Sequence, residues 1–96
     1  MKTEQRIQTE IIKYLQSEGA YTVKTMVANS MGVPDILVCL DGRFIGIEVK
    51  KEDGVVSKMQ EHHIKSIKAS GGIAFIARSV DDVYRELNNH SKDRLI

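Results

Sequence analysis

The sequence is poor in cysteine and in long apolar stretches. Its one cysteine, Cys39, excludes an internal disulfide, so nothing indicates a secreted, disulfide-stabilised scaffold. Cys39 lies within an apolar run, and we interpret it as a small buried hydrophobic residue. No stretch approaches the roughly 18 apolar residues of a membrane span. The first six residues lead into a polar helix rather than an apolar signal core, so we expect a cytoplasmic protein that does not bind membranes.

Tryptophan is absent, and the chain has only three tyrosines and two phenylalanines. The core must therefore consist mainly of Ile, Val, Leu, Met and Ala. A chain of 96 residues supports one modest core, and we assign residues 1–96 to a single domain. The net charge is only +1, whereas dedicated duplex-binding modules are usually more basic. The net charge therefore neither favours nor excludes nucleic-acid binding. An argument for such binding must come from a specific site.

Hydrophobic periodicity and turn residues divide the chain into seven elements in the order α-β-β-β-α-β-α. The third strand, second helix and fourth strand form a crossover unit, which should be right-handed with parallel strands. The fold class is therefore α/β with a mixed four-stranded sheet flanked by helices. The second strand is apolar on both faces, so both sides of the sheet should be covered. The predicted elements are helices at 3–17, 57–70 and 79–87, strands at 21–24, 36–40, 43–50 and 73–77, and a frayed polar tail at 88–96.

The Asp41-Gly42 pair predicts a tight two-residue hairpin turn. Such a turn pairs the residues on either side of it, and the same register places Asp35 directly opposite Glu48. Directly opposite residues have Cβ atoms about 4.5–5.5 Å apart, a distance at which two carboxylates repel each other. A divalent cation between them would remove the conflict.

Lys50 lies two residues beyond Glu48 and therefore points to the same face of the strand. The opposite face carries Ile45, Ile47 and Val49 and should be core. Pro34, the single proline, lacks an N–H group and is suited to a strand start. The pattern thus predicts two carboxylates and one cation clustered at the end of the hairpin.

The first helix offers two further polar candidates, Glu4 and Gln8, which lie on or beside its apolar stripe. Glu10 points well away. An acidic residue near a helix N-terminus is also favoured by the helix dipole alone, so this alternative stays open. Hard oxygen ligands suit Mg²⁺ or Mn²⁺ rather than Zn²⁺. The expected chemistry is phosphodiester hydrolysis, with Lys50 orienting water or stabilising charge on the scissile phosphate.

These residues resemble the signature of the PD-(D/E)XK nucleases, and more narrowly the VRR-NUC family. The resemblance spans about residues 4 to 84. Minimal, single-domain members of this group are similar to the archaeal Holliday junction resolvases. The matching segments are Glu4 with Ile7-Gln8, Gly32-Val33-Pro34-Asp35, Asp41-Gly42-Arg43-Phe44, Ile47-Glu48-Val49-Lys50-Lys51, Ser57 with Gln60, and Gly71-Gly72.

The resemblance implies a restriction-endonuclease-like fold and Mg²⁺- or Mn²⁺-dependent cleavage of DNA. It implies that Asp35, Glu48 and the carbonyl of Val49 bind the metal and that Lys50 is catalytic. Gln60 resembles the trailing glutamine of the family's site, although it also fits a helix capping box with Ser57. In the resolvases a glutamate on the first helix completes the site. This sequence departs from that pattern, because Gln8 stands at the matching turn and Glu4 one turn earlier.

The resemblance also implies a homodimer acting on branched DNA, with a four-way junction as the first choice and a phage or bacterial host as the setting. A small core would gain from the further burial that a dimer provides. Flap or generic duplex nicking by the same site is the second choice. A non-catalytic nucleic-acid-binding module and an assembly subunit of a larger nuclease remain open from sequence.

Overall fold

Three helices flank a four-stranded mixed sheet in residues 1–91, the part of the chain that the computed structural model describes. The elements are α1 (Glu4–Ser17), β1 (Tyr21–Lys24), β2 (Ile36–Leu40), β3 (Arg43–Val49), α2 (Lys58–Ala69), β4 (Ile73–Ala77) and α3 (Val80–Ser91). The strands lie in the order β1-β2-β3-β4. Neighbours are antiparallel except β3 and β4, which are parallel. The predicted element order and the mixed sheet are confirmed.

α1 begins at a side-chain cap and buries one apolar stripe. The Thr3 hydroxyl accepts a hydrogen bond from the Arg6 amide at 3.1 Å, which satisfies one of the free N–H groups of the first turn. Gly19, with φ of 86°, follows the helix in the left-handed conformation that ends many helices. The buried stripe is the one predicted from the sequence, and it consists of Ile7, Ile11 and Leu15.

A two-residue turn sets the register between β2 and β3. Asp41 and Gly42 have φ values of 52° and 77°, the combination that tight hairpin turns require. Leu40 therefore pairs with Arg43, and the same register continues along both strands. The register predicted from the Asp41-Gly42 pair is confirmed, and it determines which side chains share a face at the far end of the hairpin.

The main core lies between one face of the sheet and the helices α1 and α3. Alternate residues of β2, β3 and β4 point to this side, as the two-residue period of strands requires. The core contains Ile7, Ile11, Leu15, Ile36, Val38, Ile45, Ile47, Val49, Ile73, Phe75, Ala77 and Val83.

The opposite face of β3 and β4 lies under α2, and two glycines permit the close approach. A Cβ atom at Gly46 would lie 2.8 Å from Cδ1 of Ile67, and one at Gly72 would lie 2.8 Å from Cγ2 of the same residue. A larger residue at either position would force the Ile67 side chain to move from its place between α2 and the sheet. α2 begins with the predicted capping box of Ser57 and Gln60, so its first turn is held at a defined place above β3.

β2 is covered less than the sequence suggested. Cys39 is exposed and Leu37 is partly exposed, so the predictions of a buried Cys39 and of two covered faces at β2 are wrong. The physical reason is that α2 packs on β3 and β4. The same face of β2 therefore lies beside the helix rather than under it.

Two element ends also differ from the sequence prediction. β3 ends at Val49, one residue early, and α3 continues to Ser91 instead of ending near Leu87. The start of the predicted frayed tail is therefore helical, and residues 92–96 lie outside the described residues. None of the helices described is both long enough and apolar enough to cross a membrane.

Candidate active site

The hairpin places Asp35 and Glu48 side by side on the α2 face of the sheet. Asp35 directly precedes β2, and the register that pairs Ile36 with Ile47 also sets Asp35 against Glu48. Oδ2 of Asp35 accepts a hydrogen bond from the Val49 amide at 2.8 Å, which fixes this carboxylate at the end of β3. The two acids that the sequence analysis paired are thus neighbours in the fold.

Glu48 is the one charged residue that is buried in the described part of the chain, at 2% exposure. Its Oε2 accepts a hydrogen bond from Nε2 of Gln60 at 2.9 Å and lies 3.9 Å from Nζ of Lys50. Its Oε1 is buried and has no hydrogen-bond partner among the described residues. A buried carboxylate oxygen without a partner is costly, so this atom needs a ligand or a proton.

The environment of Glu48 favours its protonated form when no cation is present. Burial, followed by the charge and hydrogen bonding of Asp35, raises the pKa of Glu48 to about 8, and the more distant Glu4 adds to the rise. The ammonium of Lys50 acts in the opposite direction but does not offset the other effects. A divalent cation would reverse the balance, because positive charge stabilises both carboxylates.

Gln60 serves the helix cap and the site together. The side-chain Oε1 of Gln60 accepts a hydrogen bond from the Ser57 backbone amide at 2.9 Å. The backbone amide of Gln60 donates to the Ser57 hydroxyl at 3.2 Å. The remaining Nε2 group is then directed at Glu48. Gly32, with φ of 81°, helps to bring α2 this close, because a Cβ there would lie 2.7 Å from the Met59 carbonyl carbon. The two roles considered for Gln60 are therefore compatible.

Lys50 follows β3 directly, and its backbone is fixed by a hydrogen bond from its amide to the Ala77 carbonyl at 3.0 Å. Its side chain is 12% exposed, so the ammonium lies at the mouth of the site rather than in the apolar core. The side chain points to the Glu48 face, as the strand period predicts.

The first helix brings one acid and one amide toward the same strand end. Oε2 of Glu4 accepts a hydrogen bond from the Lys51 amide at 3.3 Å. Oε1 of Gln8 is buried and has no partner among the described residues. Glu10 pairs instead with Lys2 at 2.9 Å on the outer side of the helix. Glu4 and Gln8 both stay predictions as ligands.

The available donors suit a hard divalent cation. They are carboxylate oxygens of Asp35 and Glu48 and the main-chain carbonyl of Val49, with the Glu4 carboxylate bonded to the Lys51 amide nearby. The described residues contain no cluster of three or more His, Cys, Asp or Glu side chains arranged to hold a metal. A site here would therefore combine two acids with neutral oxygens and water, as Mg²⁺ sites in proteins commonly do. The partnerless Oε1 of Glu48 agrees with this fit.

Thr25 supports the site and was not found by sequence reasoning. Its hydroxyl donates to the Pro34 carbonyl at 2.7 Å, and its amide donates to the Asp35 carbonyl at 2.9 Å. These bonds hold the backbone on which the Asp35 carboxylate stands. The local sequence around Thr25 carries no periodic signal, so only a contact across ten residues identifies it.

The pKa of Glu48 yields a testable pH dependence in the metal-free protein. Because the folded pKa of about 8 lies above the ordinary value of 4.5, folding retains a proton that the unfolded chain has lost. The stabilising contribution is complete below pH 4.5 and is lost as the pH rises through 8. We therefore expect Glu48→Gln to match the native protein near pH 4.5 and to exceed its free energy of unfolding by about 2–4 kcal/mol at pH 9.

Urea unfolding with EDTA present, measured across this pH range, checks the expectation. Glu61→Gln is the matched control, since Glu61 is an exposed carboxylate on α2. If the free energies of unfolding of Glu48→Gln and the native protein changed equally with pH, the pKa of Glu48 would not be raised in the folded protein.

Comparison with solved structures finds the same fold in two proteins. One solved structure, named "VRR_NUC domain", has a TM-score of 0.77 and 23% identity, with 91% of this chain and 97% of that chain covered. A second, named "VRR_NUC domain protein", has a TM-score of 0.77 and 19% identity, with coverage of 96% and 90%. No curated protein matches the sequence. The mixed sheet with its flanking helices is therefore the VRR-NUC nuclease fold, as predicted.

The family follows from the sequence itself. A family model described as "Archaeal holliday junction resolvase (hjc)" matches residues 2–95. The chain belongs to the archaeal Holliday junction resolvase family, and it is a nuclease.

Proposed function

We propose that this chain is a Mg²⁺- or Mn²⁺-dependent endodeoxyribonuclease that cuts branched DNA, with the four-way junction as its main substrate, and that it acts as a homodimer. The observation that carries the proposal is the adjacent pair of half-buried Asp35 and buried Glu48, with the ammonium of Lys50 3.9 Å from Glu48. A binding module would not need two adjoining acids on a face meant for phosphates, because they would repel the ligand.

Each residue has a distinct task in this proposal. Asp35, Glu48 and the Val49 carbonyl would hold the cation, which supplies positive charge to a phosphoryl oxygen and makes water more acidic. Gln60 donates a hydrogen bond to Oε2 of Glu48, so Oε1 would be available to the cation. The Val49 amide likewise donates to Oδ2 of Asp35, so Oδ1 of Asp35 would be available to the cation.

Lys50 would act on the reacting atoms. Its ammonium can donate to a phosphate oxygen or orient the attacking water. Its position at the mouth of the site, next to a buried carboxylate, suits a group that meets the scissile phosphate from the solvent side.

The family supports a four-way junction as the substrate. Resolving a four-way junction requires a cut in each of two strands, and two copies of one small nuclease supply two identical sites. Four large apolar side chains on residues 21–31, which include β1 and the segment after it, are at least 70% exposed, and such exposure supports a partner surface. They are Tyr21, Met26, Val27 and Met31.

Cleavage assays test the activity directly. Purified protein is incubated with end-labelled four-way junctions, flaps and linear duplex, with Mg²⁺, with Mn²⁺ and with EDTA. We expect paired cuts near the junction branch point with either metal and none with EDTA. Preferential cutting of flaps or linear duplex would move the assignment to a general nicking nuclease. Junction binding without cleavage of any DNA would instead identify a binding module.

Light scattering tests the dimer. The chain has a mass of 10.8 kDa, and we expect twice that mass at micromolar concentration in the absence of DNA. A monomer at every concentration up to that of the cleavage assay would contradict the paired-cut mechanism, although it would leave the chemistry of the site unchanged.

A further inference from the structure

A tight turn follows Lys50 and borders the candidate site. Residues 51–54 close on themselves through a hydrogen bond from the Gly54 amide to the Lys51 carbonyl at 3.0 Å. A Cβ atom at Gly54 would lie 3.1 Å from Oε2 of Glu4 and 3.3 Å from Cδ of Lys50. The turn therefore packs against both side chains, and its position limits where the Lys50 stem and the Glu4 carboxylate can lie.

One guanidinium holds this turn. Nη1 of Arg78 donates to the carbonyl oxygens of Lys51 at 2.8 Å, of Glu52 at 3.2 Å and of Gly54 at 3.0 Å. Arg78 follows β4 directly, and its own amide donates to Oδ2 of Asp82 at 2.8 Å. The turn is thus tied to the end of β4 and to the first turn of α3.

Backbone carbonyl oxygens in a turn usually accept hydrogen bonds from neutral donors, whereas the carbonyls of this turn accept from a charged guanidinium. Three carbonyl oxygens that converge on one nitrogen repel each other unless a cation lies between them. The Arg78 side chain forms no ion pair with a carboxylate in residues 1–91. Its charge is therefore directed at the backbone of the turn.

We propose that Arg78 is a positioning residue for the nuclease reaction: it fixes the turn of residues 51–54 against Lys50 and Glu4. The proposal rests on the function proposed above and adds a residue outside the Asp35, Glu48 and Lys50 signature. Without the guanidinium the turn moves, the Lys50 stem loses one wall, and Glu4 loses the Lys51 amide to which it bonds.

The test compares Arg78→Met with Arg78→Lys and with Arg6→Met. Methionine fills part of the arginine volume but donates no hydrogen bond, whereas lysine keeps a cation with three donors. Arg6 is the matched control, because it lies on α1, is exposed, and pairs with Glu10 away from the turn. Thermal unfolding is recorded first, so that rates are compared only below the midpoint of each variant.

Three readouts separate positioning from DNA contact or simple destabilisation. For Arg78→Met we expect the single-turnover cleavage rate at a saturating junction concentration to fall about 10- to 100-fold, because small misplacements of reacting groups cause losses of this size. Junction affinity should change less than about threefold, since no phosphate contact is lost in this account. Hydrogen exchange at the Lys51 and Gly54 amides should speed at least about tenfold, and Arg78→Lys should recover part of the rate.

Three outcomes would overturn the proposal. A native cleavage rate in Arg78→Met would show that the turn does not need the guanidinium, as would unchanged exchange at Lys51 and Gly54. Weaker junction binding with a native rate at saturation would make Arg78 a DNA contact instead. If the native protein cuts no DNA, the proposed function fails, but the exchange measurement still decides whether Arg78 holds the turn.

Discussion

Asp35→Asn is expected to lower the single-turnover rate of junction cleavage by at least about a thousandfold while junction affinity changes less than threefold. Asparagine keeps the shape of aspartate, and its side-chain oxygen can still accept the Val49 amide that Oδ2 of Asp35 accepts at 2.8 Å. The fold at the hairpin end is therefore preserved. What is lost is one of the two negative charges that attract the cation.

The control for this variant is Asp81→Asn, an exposed acid on α3 whose ion pair is with Arg85. It removes the same charge far from the hairpin and should cut junctions at the native rate. Retention of more than a tenth of the native rate in Asp35→Asn, with the same metal requirement, would exclude Asp35 as a metal ligand.

Lys50→Met gives the second large effect, an expected loss of about 100- to 1,000-fold in the cleavage rate with Mn²⁺ affinity retained. Methionine preserves much of the aliphatic stem that packs beside Gly54 but has no charged end. Because the metal donors are untouched, the variant separates the task of Lys50 from that of Asp35, whose loss should weaken Mn²⁺ binding.

Calorimetric titration with Mn²⁺ and single-turnover cleavage of the same samples check the separation. Lys65→Met is the matched control, since Lys65 is an exposed lysine on α2 outside the acidic pair and outside the turn of residues 51–54. Equal losses in the two lysine variants would point to a general contribution of positive charge to DNA binding and would remove the special role of Lys50.

Much of the site is readable from sequence because a local rule controls it. The Asp41-Gly42 turn fixes one register, and that register alone puts Asp35 beside Glu48. The strand period then directs Lys50 to the same face. All of these residues lie on two strands joined by one short turn. Their positions can therefore be predicted without knowing how distant parts of the chain pack.

The parts that sequence did not reveal depend on contacts between distant segments. Arg78 reaches the turn after Lys50 from the end of another strand, across 24 to 27 residues. The Thr25 amide donates to the Asp35 carbonyl and its hydroxyl donates to the Pro34 carbonyl, contacts that no local pattern around Thr25 indicates. The exposure of Cys39 depends on where α2 crosses the sheet, which the apolar sequence of β2 does not specify.

The central claim is that the Asp35 and Glu48 carboxylates are brought together in order to share a divalent cation. Anomalous diffraction from crystals soaked in Mn²⁺ tests it most directly. The account predicts a manganese peak in contact with both carboxylates and with the Val49 carbonyl. A peak elsewhere, or none at manganese concentrations that support cleavage, would contradict it.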